Sequence, residues 1–251
     1  MNLTGQVKSI KQVSYGITES NGKIIRDSTG VFSFTPVRLF TFDRNGNLTE
    51  TLEDHSNGNI FRHFYKYDPD GKEIENIVYK PDGSIQERTF ARYDEIGNKT
   101  EEEYSGFVNQ KRTFKYNDKG YLVEENIYEY ERKSNWKTIY TYDKKGNQIE
   151  QNHYRPNGQL NKNIACKYDD KGNQIELKQH NPSGKLLNKS TFKYDERNNR
   201  TEEIHYNPDG TIYSSNTYKY EYDDQNNWII QVSYENVKPI IKVEREIEYY
   251  K

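Results

Sequence analysis

One short phrase constrains this chain more than any other feature: an aromatic residue, Asp, two polar residues, Gly or Asn, then usually Asn, returning about every 26 residues. It reads Phe42-Asp43 with Gly46-Asn47, Tyr67-Asp68 with Gly71, Tyr93-Asp94 with Gly97-Asn98, and Tyr116-Asn117 with Gly120. It continues as Tyr142-Asp143 with Gly146-Asn147, Tyr168-Asp169 with Gly172-Asn173, Tyr194-Asp195 with Asn198-Asn199, and Tyr222-Asp223 with Asn226-Asn227. The tail Glu248-Tyr249-Tyr250 reads as a truncated further copy. The chemistry is that of a reversing corner. Asp accepts backbone N–H bonds two residues on, the next pair forms the centre of a type I turn, and the following residue takes a left-handed conformation. Gly does this freely, and Asn198 and Asn226 stand where Gly is missing because Asn tolerates positive φ next best.

A second corner falls halfway between copies, at Pro81-Asp82-Gly83, Pro156-Asn157-Gly158, Pro182-Ser183-Gly184 and Pro208-Asp209-Gly210. Corners about 13 residues apart leave strands of about eight or nine residues, the spacing of an antiparallel meander. With a Gly bulge at each corner, Tyr79 pairs with Ile85, Tyr154 with Leu160, His180 with Leu186 and Tyr206 with Ile212. Carrying the alternation onward places Ile164, Cys166 and Tyr168 with Leu160 on an aromatic-rich face, and Lys115, Lys167 and Lys193 on the other. About 17 strands spaced ~4.8 Å apart would span roughly 80 Å if flat, and open sheets of that width curl. The expected fold is therefore all-β: a tandem antiparallel hairpin meander of about 16–18 strands in one long, curled or spiralling sheet. Residues 1–40 read as an irregular N-terminal repeat or cap, with turns at Asn21-Gly22 and Thr29-Gly30 and a strand pair or edge from Val31 to Phe42. Residues 41–251 read as one continuous run of repeats.

Composition sets limits on function. Hydrophobic residues are 31% of the 251 and charged residues 30%, yet 23 tyrosines and a net charge of only −2 argue against disorder. A Tyr ring packs while its hydroxyl stays wet, which suits a thin sheet. A pI near 6.3 supplies no basic footprint for nucleic acid. The lone Cys166 excludes an intrachain disulfide and a Cys-based zinc site. No apolar stretch is long enough for a transmembrane helix, and Met1-Asn2-Leu3-Thr4-Gly5 lacks a signal-peptide core.

The Tyr-Asp-x-x-Gly-Asn phrase with Pro-Asp-Gly at half period resembles the YD-repeat (Rhs-type) family over residues 41–250. The likeness is closest to small Bacteroidetes-type members that open with a segment like Leu3-Thr4-Gly5-Gln6-Val7-Lys8-Ser9. The resemblance implies a spiralling β-sheet, a surface or extracytoplasmic location, and a sugar-binding role. The chain shows neither the self-cleavage core motif nor the toxin tail of the large members, so a partial, open shell is expected and no catalytic residue carries over.

The residues that could bind are aromatic. Tyr142, Tyr168 and Tyr194 lie in repeat register and could offer flat rings to a glycan, although Tyr is also the natural packing residue of a strand. The row Tyr79, Tyr154 and Tyr206 has the same two readings. Tyr130, Arg132 and Trp136 occupy the one repeat that keeps its period but loses the Pro-x-Gly corner. Trp228 follows the aberrant Asn226-Asn227 corner. Trp and Arg are enriched at binding hot spots; the bland alternative is a longer hairpin tip with Trp as a plug. The glutamates Glu50, Glu75, Glu101, Glu124, Glu150, Glu176 and Glu202 recur alike, as a solvated or Lys-paired ladder would, whereas a glycosidase needs a differentiated pair. The aspartates of the corners do not complete a calcium loop, and His55, His63, His153, His180 and His205 lack ligand spacing. Cys166 fills a slot that Phe114 and Phe192 fill elsewhere. The expectation is a non-catalytic binding module for glycan or protein, with no cofactor and no metal; the alternatives are a scaffold or spacer, or a toxin-associated immunity or delivery protein.

Overall fold

The computed structural model describes residues 3–27, 37–55 and 59–250, in which nineteen strands belong to one antiparallel sheet. The expected turn at Thr29-Gly30 and the strand start at Val31 lie outside the described residues. The corners form where their chemistry requires. At the first, the Asp43 carboxylate accepts the backbone N–H of Asn45 and of Asn47, each at 2.9 Å, and the Asn47 side-chain amide at 3.0 Å. Gly46 takes φ +84°, and in the two copies without Gly, Asn198 and Asn226 take φ +61°. Asn21 and Gly22 both take positive φ, closing a two-residue hairpin turn.

By compactness the chain forms two units, residues 1–88 with 216–251, and residues 89–215. The first holds β1 (Val7–Ser20), β2 (Lys23–Arg26), β3 (Val37–Phe42), β4 (Leu48–Asp54), β5 (Ile60–Tyr67), β6 (Glu73–Tyr79), β18 (Trp228–Glu235) and β19 (Lys238–Tyr249). The second holds β8 (Lys99–Ser105), β9 (Gln110–Tyr116), β10 (Leu122–Glu129), β11 (Ser134–Tyr142), β12 (Gln148–Tyr154), β13 (Leu160–Tyr168), β14 (Gln174–His180), β15 (Leu186–Tyr194) and β16 (Arg200–Tyr206). The unit boundaries fall within β7 (Ile85–Tyr93) and β17 (Ile212–Tyr222).

In the second unit the expected pairs Tyr154–Leu160 and His180–Leu186 are present. Cross-strand partners share a face, so the rows Tyr140–Gln151–Ile164 and Cys166–Leu177–Ser190–His205 define the aromatic face, which also bears Trp136, Tyr142, Tyr168, Phe192 and Tyr194. Lys115, Lys167 and Lys193 lie on the other. One detail differs from expectation. The ladder slips by a residue between His153 and Tyr154, which moves Tyr154 to the lysine face, where Lys137 sits over its ring at 5.3 Å. Tyr206 lies on that face too, under Lys189 at 5.2 Å.

At several corners the tyrosine that opens the turn clamps the sheet. Its hydroxyl donates to the carbonyl of the first residue of the preceding strand: Tyr67 to Leu48, Tyr116 to Lys99, Tyr142 to Leu122, Tyr168 to Gln148 and Tyr194 to Gln174, at 2.8–3.0 Å. The register slips beside these corners, for instance between Lys167 and Tyr168, so the ladder alone leaves backbone groups to be satisfied there.

In the first unit β1 pairs on both sides, with β3 through Ser9–Gln12 and with β19 through Val7–Gly16. Ile10, fully buried, packs with Val7 and Phe42, and Leu3, Phe40, Leu48, Ile247 and Tyr249 surround them. The Asn227 side chain bridges the terminal segments, accepting from the Thr4 N–H at 2.7 Å and donating to the Thr4 carbonyl at 2.8 Å and the Tyr249 hydroxyl at 2.7 Å. This corrects the expectation of an open, curled ribbon. The last strand of the meander pairs with the first, so neither is left as a free edge there, and β2 is a short branch on β1. The physical reason is edge matching. An unpaired edge exposes a row of N–H and C=O groups, and β1 meets β19 with Ile10 opposite Ile247 and Lys8 bonded to Glu248 at 2.7 Å. Within the expected N-terminal cap, β1 is the strand that pairs with both β3 and β19.

Candidate functional site

Strand β11 sets Trp136, Thr138, Tyr140 and Tyr142 in line on the aromatic face of the second unit, because alternate residues of a strand share a face. At one end Tyr142 stacks on Tyr121, centroids 5.0 Å apart and planes 23° from parallel. The two rings, with Tyr140, Val123 and Lys119, line an open cleft of about 440 Å³. The Tyr140 hydroxyl donates to Glu125 at 2.7 Å, and burial together with that carboxylate pushes its pKa well above the ordinary phenol value. Thr138 is buried and bonds His153 Nδ1 at 3.1 Å; burial first, and Lys162 second, lower the imidazole pKa, so the ring is neutral at pH 7. Arg112 stands 3.9 Å from both Glu102 and Glu125. Its Nε and the His153 Nε2 are buried without a hydrogen-bond partner among the described residues. Rings, acids and donors thus alternate along one face, the mixture that lines sites for polar ligands with apolar faces.

Of the residues singled out in the sequence, Trp136, Tyr142, Tyr168 and Tyr194 share this face. Tyr168 and Tyr194 spend their hydroxyls in the backbone clamp, as Tyr142 does. Tyr130 and Arg132 do not join them. They lie at the β10–β11 tip, where Tyr130 is 46% exposed and meets Tyr128 edge-on at 5.3 Å, and Arg132 reaches Glu129 at 3.4 Å. Tyr128 alternates with Ile127, the cross-strand partner of Trp136, so Tyr128 projects from the lysine face, and Tyr130 packs on it from the turn. Trp228 belongs to the first unit, where the Arg245 guanidinium lies 3.3 Å from its ring centroid.

The recurring glutamates are largely absorbed by cations. Glu75 pairs with Lys66 and Arg88, Glu101 with Lys111 and Arg92, Glu124 with Lys115, Glu176 with Lys167, Lys178 and Lys189, and Glu202 with Lys193. Cys166 is buried, its Sγ accepts from Gln174 Nε2 at 3.0 Å, and burial raises its pKa. Sequence reasoning missed the hydroxyl–histidine pairs. Ser190 bonds His205 Nδ1 at 2.8 Å, as Thr138 bonds His153 two repeats earlier. The spacing of twice the repeat was the available signal. His205 also lies 3.2 Å from Glu203, giving a Ser–His–Glu chain, but the hydroxyl is buried at 8% exposure in a strand flanked on both sides by paired strands. A free pair of backbone donors for an oxyanion has no place in that ladder.

No protein-family model matches the sequence, and no curated protein matches it. Solved structures do. The fold is shared with a porin-like protein from Bacteroides uniformis. The likeness covers 98% of each chain at a TM-score of 0.52 and 13% identity. The TcdB2–TccC3 structure is also similar, at a TM-score of 0.41 and 14% identity over 96% of this chain but 15% of that one.

Proposed function

We propose that this chain is a non-catalytic repeat module of the YD type that binds carbohydrate along the aromatic face of β11, outside the cytoplasm or at the cell surface. The observation that carries the reading is the line of Trp136, Tyr140 and Tyr142, continued by the stacked Tyr121. Seven residues at ~3.3 Å each make a track of roughly 20 Å, beside Glu125, Arg112 and His153. Flat rings take up the apolar faces of sugars while charged and amide groups read hydroxyls. The location follows from the YD-type resemblance. The porin-like name of the Bacteroides uniformis neighbour does not extend to membrane insertion here. The lysine face of the second unit alternates charges such as Lys167, Glu176, Lys178 and Lys193, and a lipid-facing Lys or Arg costs about 2–4 kcal/mol at the bilayer midplane.

A second reading is a scaffold. It is favoured by the clamp, which uses the corner tyrosine hydroxyls internally, and by the ion-paired glutamate ladder. A glycan array probed with the wild type, Trp136→Ala and Tyr121→Ala separates the two. Carbohydrate binding lost in both variants, with circular dichroism unchanged, supports the site. Folded proteins that bind no glycan favour the scaffold, and binding that survives both substitutions places the ligand elsewhere.

A further inference from the structure

Five arginines of the described residues are partly withdrawn from solvent: Arg38, Arg88, Arg112, Arg200 and Arg245. Four of them face a carboxylate, in Glu53, Glu75, Glu102 with Glu125, and Glu203 respectively. Arg245 does not. Its Nε–H donates to Gln12 Oε1 at 3.0 Å, and its guanidinium lies against the Trp228 ring, 3.3 Å from the centroid. Its terminal Nη groups have no acceptor among the described residues. They are also absent from the buried partnerless atoms, which belong to Thr51, Arg112 and His153, so they reach solvent. Burial pulls the Arg245 pKa down to about 10, which leaves it charged at neutral pH.

The setting fixes the fork. Gln12 of β1 is the cross-strand partner of Arg245 on one side and of Arg38 on the other, so the row runs Arg38–Gln12–Arg245 on the face that carries Ile10. Arg38 is occupied by Glu53 at 2.7 Å. Tyr220 stands edge-on to Trp228 at 6.1 Å and accepts from Gln231 at 3.0 Å, which walls the indole. A guanidinium held flat by a ring and aligned through Nε presents its remaining donors as a planar pair that matches a carboxylate bidentately. A partly desolvated charge without a counter-charge is the arrangement that gains most from an incoming acid.

We propose that Arg245, backed by Trp228 and aligned by Gln12, is a binding site for the carboxylate of a small acidic ligand. The site lies in the first unit and does not depend on the carbohydrate track of β11. Trp136 and Trp228 are the two tryptophans of the chain, so in Trp136→Phe protein Trp228 is the sole indole reporter. Its fluorescence would be titrated with sodium glucuronate, N-acetylglutamate, glucose and sodium sulfate. A saturable change is expected with one or both carboxylates up to roughly 10 mM. Glucuronate alone marks a uronate source, and N-acetylglutamate alone marks an amino-acid or peptide source. Arg245→Gln should weaken binding at least about tenfold, and Arg245→Lys should weaken it too, since an ammonium lacks the fork. If Arg245→Gln fails to fold, Gln12→Glu serves instead: it places the chain's own carboxylate beside the guanidinium and should abolish the response while the protein stays folded. No response to either carboxylate, an equal response to glucose or sulfate, or undiminished binding in folded Arg245→Gln or Gln12→Glu would overturn the proposal.

Discussion

Replacing Glu176 by Gln removes the centre of a cluster in which Lys167, Lys178 and Lys189 each place Nζ 3.1 Å from its carboxylate. The Glu176 side chain is only 15% exposed, while the lysines are 68%, 34% and 32% exposed. Burial alone would raise the carboxyl pKa. The hydrogen bonds from the three lysines outweigh burial and bring it from 4.5 to about 2. At about 1.4 kcal/mol per pKa unit that depression corresponds to roughly 3 kcal/mol. Water around the lysines screens part of it, so about 1.5–2 kcal/mol is the expected loss in Glu176→Gln. The pH dependence follows from the sign. A carboxyl whose folded pKa is depressed contributes its full stability above the unfolded value near 4.5 and loses it as pH falls toward 2. Urea unfolding followed by far-ultraviolet circular dichroism, wild type against variant, reads the difference. It should be largest at neutral pH and low salt and shrink toward zero as pH approaches 2. A difference below about 0.5 kcal/mol at neutral pH, the size of an ordinary surface pair, or one that stays constant through acid, would refute the reasoning.

Two further substitutions test the corners and the clamp. Tyr168→Phe keeps the ring but leaves the Gln148 carbonyl without its 2.8 Å donor, and a loss of about 1 kcal/mol in urea unfolding is expected. Gly146 stands at φ +90°, and an added Cβ would meet the Tyr121 hydroxyl at 2.5 Å, so Gly146→Ala should lower stability by about 1–3 kcal/mol and weaken the Tyr121–Tyr142 stack. A near-ultraviolet dichroism signal unchanged in that variant would contradict the stack's dependence on the corner.

The corners were legible because their cause is local: Asp, two turn residues and Gly or Asn specify a reversal wherever they occur, and Asn198 and Asn226 obey it. Alternation then placed Ile164, Cys166 and Tyr168 together on one face and Lys167 on the other, as the rows show. Parity failed at Tyr154, where a slip in the ladder inverts the face and leaves no mark in residue spacing. The union of β1 with β19 was illegible for another reason. It depends on two distant edges matching, Ile10 with Ile247 and Lys8 with Glu248, and no local pattern announces such a match. Tyr130 and Trp136 look like one site in sequence, yet Tyr130 sits in the turn beyond β10 against Tyr128, whereas Trp136 lies within β11 on the aromatic face. Arg245 was invisible because its interest lies in which neighbours lack an acid, a property of the assembled rows.

The pairing of the first strand with the last has a consequence for how the protein is made. During synthesis β1 leaves the ribosome long before β19 exists, and the Lys8–Glu248 contact spans 240 residues. Closing so long a segment costs about 3 kcal/mol more in chain entropy than closing a hairpin of a dozen residues. Until the final strand arrives, the nascent sheet therefore carries bare borders, guarded on one side by Lys8 and Lys11. A circular permutant that joins residue 250 to residue 3 through a short linker and opens the chain at the Gly120 corner would turn the slowest contact into a neighbouring one, and should assemble faster with less aggregation.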